Sequence, residues 1–439
     1  VIGETMIYLL IFTTLLFFIF SFYIFEKNIL NPSVVLCGTF LVSLLFSVFN
    51  IEKWGVYFSE KTYLIVVSAL FCFIVGNLLV KILNFKIKKN TEYKIKKNSF
   101  FKFLVINIIL LIGLYKYFKD TYSLSLIAGN PGEFKLMLYY VREAKLKFYD
   151  VSRVSNLFFM LTQAFAYISI FYFFFLTINN KFKLNNVFIL SPAIIYLGFI
   201  FLTGGRTGFI YLIVYSINII FLLSYQKNNF TIKNLKKMVI YLILSLIIFF
   251  IFFSIAGSLK GQVQTKDAII DRISIYTGSS IPALNEYINS EKIIGSDIIG
   301  GNLFFNLYSF LRKFGVEIPN LYAPLYFTDF KAGYGTNVYT GLIRYMNDLG
   351  LYGMLLMMSF LGFFYGTFYD FVSKRKNAFL LILYSAYCYP VYEFVIEERF
   401  FMDLFPYGFI YIYIYTSFAY YILIKNNKLF KRPKKRNCS

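Results

Sequence analysis

Seven polar side chains, Thr336, Asn337, Tyr339, Thr340, Arg344, Asn347 and Asp348, crowd into "GYGTNVYTGLIRYMNDLGLYG", directly before the apolar run "MLLMMSFLGFFYG". Their types suit one kind of chemistry. A guanidinium offers a planar fork that matches phosphate oxygens. A carboxylate can accept a proton, while amides and aromatic faces suit sugar hydroxyls and rings. Histidine is absent from all 439 residues, so any general base must be a carboxylate and the commonest metal ligand is missing. Arg344, Asn347 and Asp348 fall within one turn of an expected helix, and 344 and 348 stand at i,i+4. The plainer alternative is therefore a helix-end ion pair that anchors the helix after it.

Other cations are scattered along the chain. Arg206 sits in "GFIFLTGGRTGFIYL", where Thr203-Gly204-Gly205 can turn tightly between two apolar runs. Arg206 either snorkels to lipid phosphates or, with the N–H groups at the start of the next helix, cradles an anion. In "SLKGQVQTKDAIIDRISIYTGSSIPALNEYINSEK", Lys260, Lys266 and Arg272 alternate with Asp267, Asp271 and Glu286. Most such charges are simply solvated. Arg312 and Lys313 follow in "LYSFLRKFGVEIPN", and Arg142 lies in "GNPGEFKLMLYYVREAKLKFYD".

What positions these residues is a membrane. Hydrophobic residues make up 59% of the chain and charged ones 15%, with a mean hydropathy of +0.64. A soluble domain cannot bury that much apolar surface, so the expected class is an all-α polytopic membrane protein. The opening "VIGETMIYLL" has no small-residue cleavage site after its apolar run and reads as a first span. Spans of sufficient length occur at about 6–25, 29–49, 62–80, 100–118, 154–177, 186–205, 207–226, 238–256, 349–369, 377–395 and 404–424. That makes about eleven helices (10–12), with the chain ends on opposite sides.

The net charge of +22 follows this topology. One side carries 25 Lys+Arg against 3 Asp+Glu, and the other carries 19 of each, out of 44 and 22 in the chain. The positive-inside rule makes the basic side cytoplasmic, with the N-terminus outside and the basic tail 425–439 inside. Topology thus accounts for the charge, and no nucleic-acid partner is needed. The four cysteines show no metal-ligand spacing and imply no disulfide framework.

The chain reads as a single integral domain, 1–439, with two large external loops. In loop 119–153, Phe134, Met137, Leu138, Val141, Ala144 and Phe148 recur at helical spacing, which predicts an amphipathic helix on the outer membrane surface. Loop 257–348 is far longer than an ordinary connection and rich in Tyr, Phe, Ile and Leu, which predicts an ordered cap. Gly362 and Gly366 form a GxxxG that favours close helix packing within the bundle over dimerisation.

"TGSSIPALNEYI", followed some fifty residues on by "TNVYTGLIRYMNDLGLYGMLLMMSFLGFFYG", resembles the oligosaccharide repeat unit polymerase family, the Wzy-type O-antigen polymerases. "FLTGGRTGFIYL" is similar to that family's short arginine turn, and the resemblance spans Leu202 to Phe371. It implies an inner-membrane glycosyltransferase with a GT-C-like bundle. The growing glycan on undecaprenyl diphosphate would be passed to an incoming lipid-linked repeat unit on the outer face. On this expectation Arg206, Arg272 and Arg344 neutralise the diphosphate leaving group, and Asp348, Asp271 or Glu286 accepts the acceptor's proton. Arg142, Arg312, Asn337, Tyr339, Thr340 and Glu286 would contact substrate, with no metal and no other cofactor. The expected partners are the lipid-linked oligosaccharide, the bilayer, a chain-length regulator and a flippase.

Three alternatives remain at this stage. An O-antigen ligase usually implicates a periplasmic histidine, which is missing here. A flippase or transporter of the lipid-linked unit commonly shows internal repeats and charges at mid-membrane, whereas these spans are nearly charge-free. A non-enzymatic scaffold for export would not need so many external arginines.

Overall fold

The structure is a computed structural model and describes residues 2–83, 100–146, 149–179, 184–205, 207–228, 266–290, 298–318, 327–330 and 334–425. It is that of an all-α polytopic membrane protein. Among the described residues, eight helices are long and apolar enough to cross a bilayer. They match the expected first five spans, the seventh, the ninth and the eleventh, while the expected eighth, 238–256, lies outside the described residues. Two expected spans take a different form. The sixth contains α7 (Ser191–Leu202), only 12 residues long and preceded by the 3-10 turn Leu184–Leu190. The tenth is split at Cys388 into α13 (Ala378–Tyr387) and α14 (Tyr389–Glu393). Pro390 accounts for the split: it has no N–H to give the carbonyl one turn back, and its ring crowds that carbonyl.

The chain divides into two compact units. The first comprises Val1–Lys88, Thr265–Arg375 and Tyr387–Phe409. It holds the spans α1 (Ile2–Ile24), α2 (Pro32–Trp54), α3 (Glu60–Leu83) and α12 (Leu342–Lys374). Shorter elements accompany them: α9 (Lys266–Gly278), α10 (Ser280–Asn289), α11 (Phe305–Arg312), α14 and the π-helical segment Phe400–Gly408. A small antiparallel hairpin pairs β1 (Thr328–Asp329) with β2 (Gly335–Thr336), Thr328 opposite Thr336 and Asp329 opposite Gly335.

Glycines set the main contact of this unit. A Cβ on Gly76 of α3 would overlap the carbonyl oxygen of Ser359, and one on Gly362 of α12 would overlap that of Phe73. At Gly366 it would overlap Oδ1 of Asn77. The GxxxG therefore serves packing of α12 on α3, backbone against backbone. Asn77 in turn donates to Asn31 Oδ1 at 2.7 Å and Ser33 Oγ at 2.8 Å, while Asn31 caps α2 by accepting the N–H of Ser33 at 3.0 Å. At the other end of α12, Gly350 adopts φ +66° and ψ −174°, a conformation open to glycine alone. That corner splits α12 into a short leading helix, which carries Arg344, Asn347 and Asp348, and the longer apolar helix after it.

The second unit, Lys89–Gln264, Lys376–Ala386 and Ile410–Ser439, contains α4 (Phe100–Ile127), α5 (Met137–Leu146), α6 (Arg153–Ile178), α7, α8 (Thr207–Asn228), most of α13 and α15 (Phe409–Tyr420). The expected amphipathic helix is α5. Of its apolar face, Met137, Leu138, Val141 and Ala144 are buried by protein, with α4 alongside. Phe134, just before α5, remains exposed, and Phe148 lies outside the described residues.

Candidate functional site

The two sequence blocks that carry the family resemblance meet in the first unit. Ser279 Oγ donates to Thr336 Oγ1 at 3.0 Å, and Tyr287 donates its hydroxyl proton to Asn347 Oδ1 at 2.8 Å. The Tyr287 and Tyr339 rings meet edge to face, with centroids 6.2 Å apart. Ser47 of α2 holds the end of α9 by donating to the Gly278 carbonyl at 2.6 Å, and Asn285 of α10 accepts from the Ser59 N–H and the Thr62 hydroxyl. The Gly341 N–H reaches across to the Phe394 carbonyl at 2.7 Å. This last bond joins the start of α12 to the stretch after α14.

That stretch, "EFVIEERFFMD", contributes the chemistry that sequence reasoning missed. Arg344 is buried and points Nη2 at Glu397 Oε1, 4.0 Å away. Arg399 approaches the same carboxylate at 2.5 Å, Asp403 at 2.8 Å and Glu393 at 3.6 Å. Glu397 thus lies between two guanidiniums. The five side chains sum to one net negative charge, so an entering phosphate would have to compete with carboxylates for the arginines.

Glu398 faces away from this group into the protein. Burial pushes its carboxyl up to about 7, against a usual value of 4.5, although the N–H groups of Phe401, Met402 and Phe400 and the Tyr345 hydroxyl all favour its charged form. Among the described residues no grouping of His, Cys, Asp and Glu has the arrangement of a metal site.

The expected site residues are distributed unevenly. Asp348 does not turn to Arg344 for its hydrogen bonds: it accepts from Asn302 Nδ2 at 2.9 Å and from the Leu303 N–H at 2.6 Å. Tyr339 is buried and bonds Thr328, while Thr340 is fully buried. Both belong to the frame of the site, where a sugar has no access. Asn337 is exposed beside them and Glu286 is half-buried. Asp271 is occupied by Lys53 at 2.6 Å and the Tyr334 hydroxyl at 3.3 Å. Arg312 donates to Ser309 Oγ at 3.0 Å on α11.

Arg206 and the side chain of Arg272 lie outside the described residues. Arg142 is exposed on α5, in the second unit. There Lys145 donates to the Thr203 carbonyl at 3.2 Å, fastening α5 to the turn just before Arg206, and its own burial holds its ammonium below the usual lysine range.

The missed residues had a signal. Glu393, Glu397, Glu398, Arg399 and Asp403 put five ionisable groups into eleven residues between two apolar runs. The expected helix ends at 395 and 404 placed Glu393 in one span and the other four in a short link.

No family model matches the chain. Over 206 residues it is 25% identical to a protein named O-antigen polymerase from Shigella dysenteriae, a match covering 45% of this chain and 48% of that protein. The chain therefore spans about half the length of the curated relative it matches. No solved structure matches. At this identity and coverage the comparison is a likeness to a named polymerase, carried by less than half of the chain.

Proposed function

We propose that the protein is a polysaccharide polymerase of the O-antigen type. It joins undecaprenyl-diphosphate-linked oligosaccharide repeat units on the outer face of a bacterial inner membrane. The observation that carries this reading is the coincidence of a likeness to a named O-antigen polymerase with a half-buried arginine–carboxylate cluster beside a membrane span. In the reaction an acceptor hydroxyl attacks the anomeric carbon of the donor glycan. The bond from that carbon to the diphosphate oxygen breaks, and undecaprenyl diphosphate leaves with the electron pair.

Arg344 supplies positive charge where the leaving group gains negative charge. Glu397, half-exposed beside Arg344, is the carboxylate assigned to take the hydroxyl proton; it is paired with Arg399, as Asp271 is with Lys53. Asn337 and Glu286 remain as contacts for sugar hydroxyls.

The test is reconstitution of the purified protein in liposomes with undecaprenyl-diphosphate repeat units. A polymerase gives a ladder of products. Arg344→Ala should insert normally and lose the ladder by roughly 100- to 1,000-fold in rate, the usual cost of removing one group that stabilises transition-state charge. Transfer only in the presence of lipid A core would indicate a ligase, and movement of label across the bilayer without new bonds would indicate a flippase. Either result overturns the proposal.

A further inference from the structure

Glu398 has no place in the reaction just described, yet it is 1% exposed and carries a full set of donors. Oε1 accepts the N–H of Phe400 at 2.9 Å, the N–H of Phe401 at 3.1 Å and the Tyr345 hydroxyl at 3.0 Å. Oε2 accepts the N–H groups of Phe401 at 3.1 Å and Met402 at 3.0 Å. Three successive backbone donors at the start of a helical segment form an anion site, here occupied by the chain's own carboxylate. Among the described residues no lysine or arginine pairs with it.

The ionisable groups around Glu398 are Tyr345 and Tyr365 of α12 and, in its own segment, Glu397 and Arg399. Arg344 adjoins Tyr345 in sequence, and Glu393 and Asp403 are reached only through Arg399. The location matters. Arg399 follows Glu398 directly, and Tyr345 follows Arg344 directly. One buried carboxylate therefore ties together the two backbones that carry the cluster's arginines.

We propose that Glu398 is a positioning residue. As a carboxylate it clamps the first turn of Phe400–Gly408 to Tyr345 and so sets Arg344 and Arg399 on either side of Glu397. Protonation weakens the clamp, because the oxygen that gains the proton turns a donor toward the N–H groups it had accepted. Since burial raises this carboxyl to about 7, the change falls in the physiological range.

The sign follows from linkage. The folded protein keeps this proton to higher pH than the unfolded chain, so the stability it contributes is fully present below about pH 4.5. That contribution is lost as pH rises through about 7. The clamped form is thus the less stable one, maintained by its donors.

The clamp can be tested separately from the polymerase reading, on which only its effect on catalysis rests. Deuterium uptake at the N–H groups of Phe400, Phe401 and Met402 is measured on the full-length protein in nanodiscs between pH 5.5 and 8.5, with correction for intrinsic exchange. In the wild type, protection should rise through a midpoint near 7. Glu398→Gln should show roughly tenfold lower protection at high pH and no midpoint, the loss expected for charged hydrogen bonds.

Tyr345→Phe removes the tie to α12 and leaves the backbone donors of the first turn on Glu398. It should keep the protection and move the midpoint upward, which gives a test even if Glu398→Gln folds poorly. The ladder rate in the wild type should follow the same midpoint. Protection that titrates in a protein giving no ladder would leave the clamp standing and remove the polymerase. Protection that is equal in wild type and Glu398→Gln, or a Tyr345→Phe midpoint that stays put, would overturn the clamp.

Discussion

Asp348 stands one turn beyond Arg344, the spacing at which a helix brings opposite charges together. Its oxygens are nevertheless taken by Asn302 and the N–H of Leu303, on a segment about 45 residues earlier in the chain. An anchor and a general base make different predictions for Asp348→Asn. The amide replaces one acceptor oxygen with a donor that must face another donor, so the folded protein should lose roughly 1–3 kcal/mol. Thermal unfolding of the purified variant measures that loss, and the fraction that stays folded should still build the ladder. A variant that is fully folded and inert would restore Asp348 to the chemistry. The spacing of 344 and 348 could be read from the sequence because it is local. The partnership of Arg344 with Glu397 could not, because it depends on how the stretch after α14 returns to the start of α12.

At the scale of elements, glycine decides where helices touch and where they break. Gly362 and Gly366 were legible as packing residues because small side chains four apart mark one helix face. Their partner was harder to see, since Gly76 is the single glycine of α3 and is preceded at four-residue steps by Cys72 and Ser68, not by a second glycine. Gly350 and Pro390 act on the backbone itself, one by a left-handed corner and the other by a missing donor. An apolar run conceals both effects, which is why 377–395 reads as one span and folds as two pieces.

Packing of α12 on α3 yields a prediction at this scale. Gly362→Ala would drive its Cβ into the carbonyl of Phe73, and no side-chain rotation relieves a clash with backbone. The variant should lose about 1–3 kcal/mol, the range for overpacking a tight interface. A lowered unfolding midpoint in detergent would show it. An unchanged midpoint would mean that α3 and α12 lie further apart than described.

For the molecule as a whole, function depends on which compartment the arginine–carboxylate cluster faces. The charge pattern argues for the outside: the basic excess falls on short loops and the tail of one side, and the segments around the cluster belong to the other. Single cysteines in a background with Cys438 replaced make the question direct. Cys37 and Cys388 are buried and Cys72 is half-buried, so they give little signal. Phe314, 72% exposed after α11, is a reporter for the side of the cluster, and Lys27, exposed between α1 and α2, reports the opposite side. In spheroplasts a membrane-impermeant maleimide should label Phe314→Cys at once and Lys27→Cys only after the membrane is opened. The reverse pattern would turn Arg344 and Glu397 toward the cytosol. Lipid-linked repeat units that have already been flipped would then never meet them, and the polymerase reading would fall while the fold and the Glu398 clamp stayed intact.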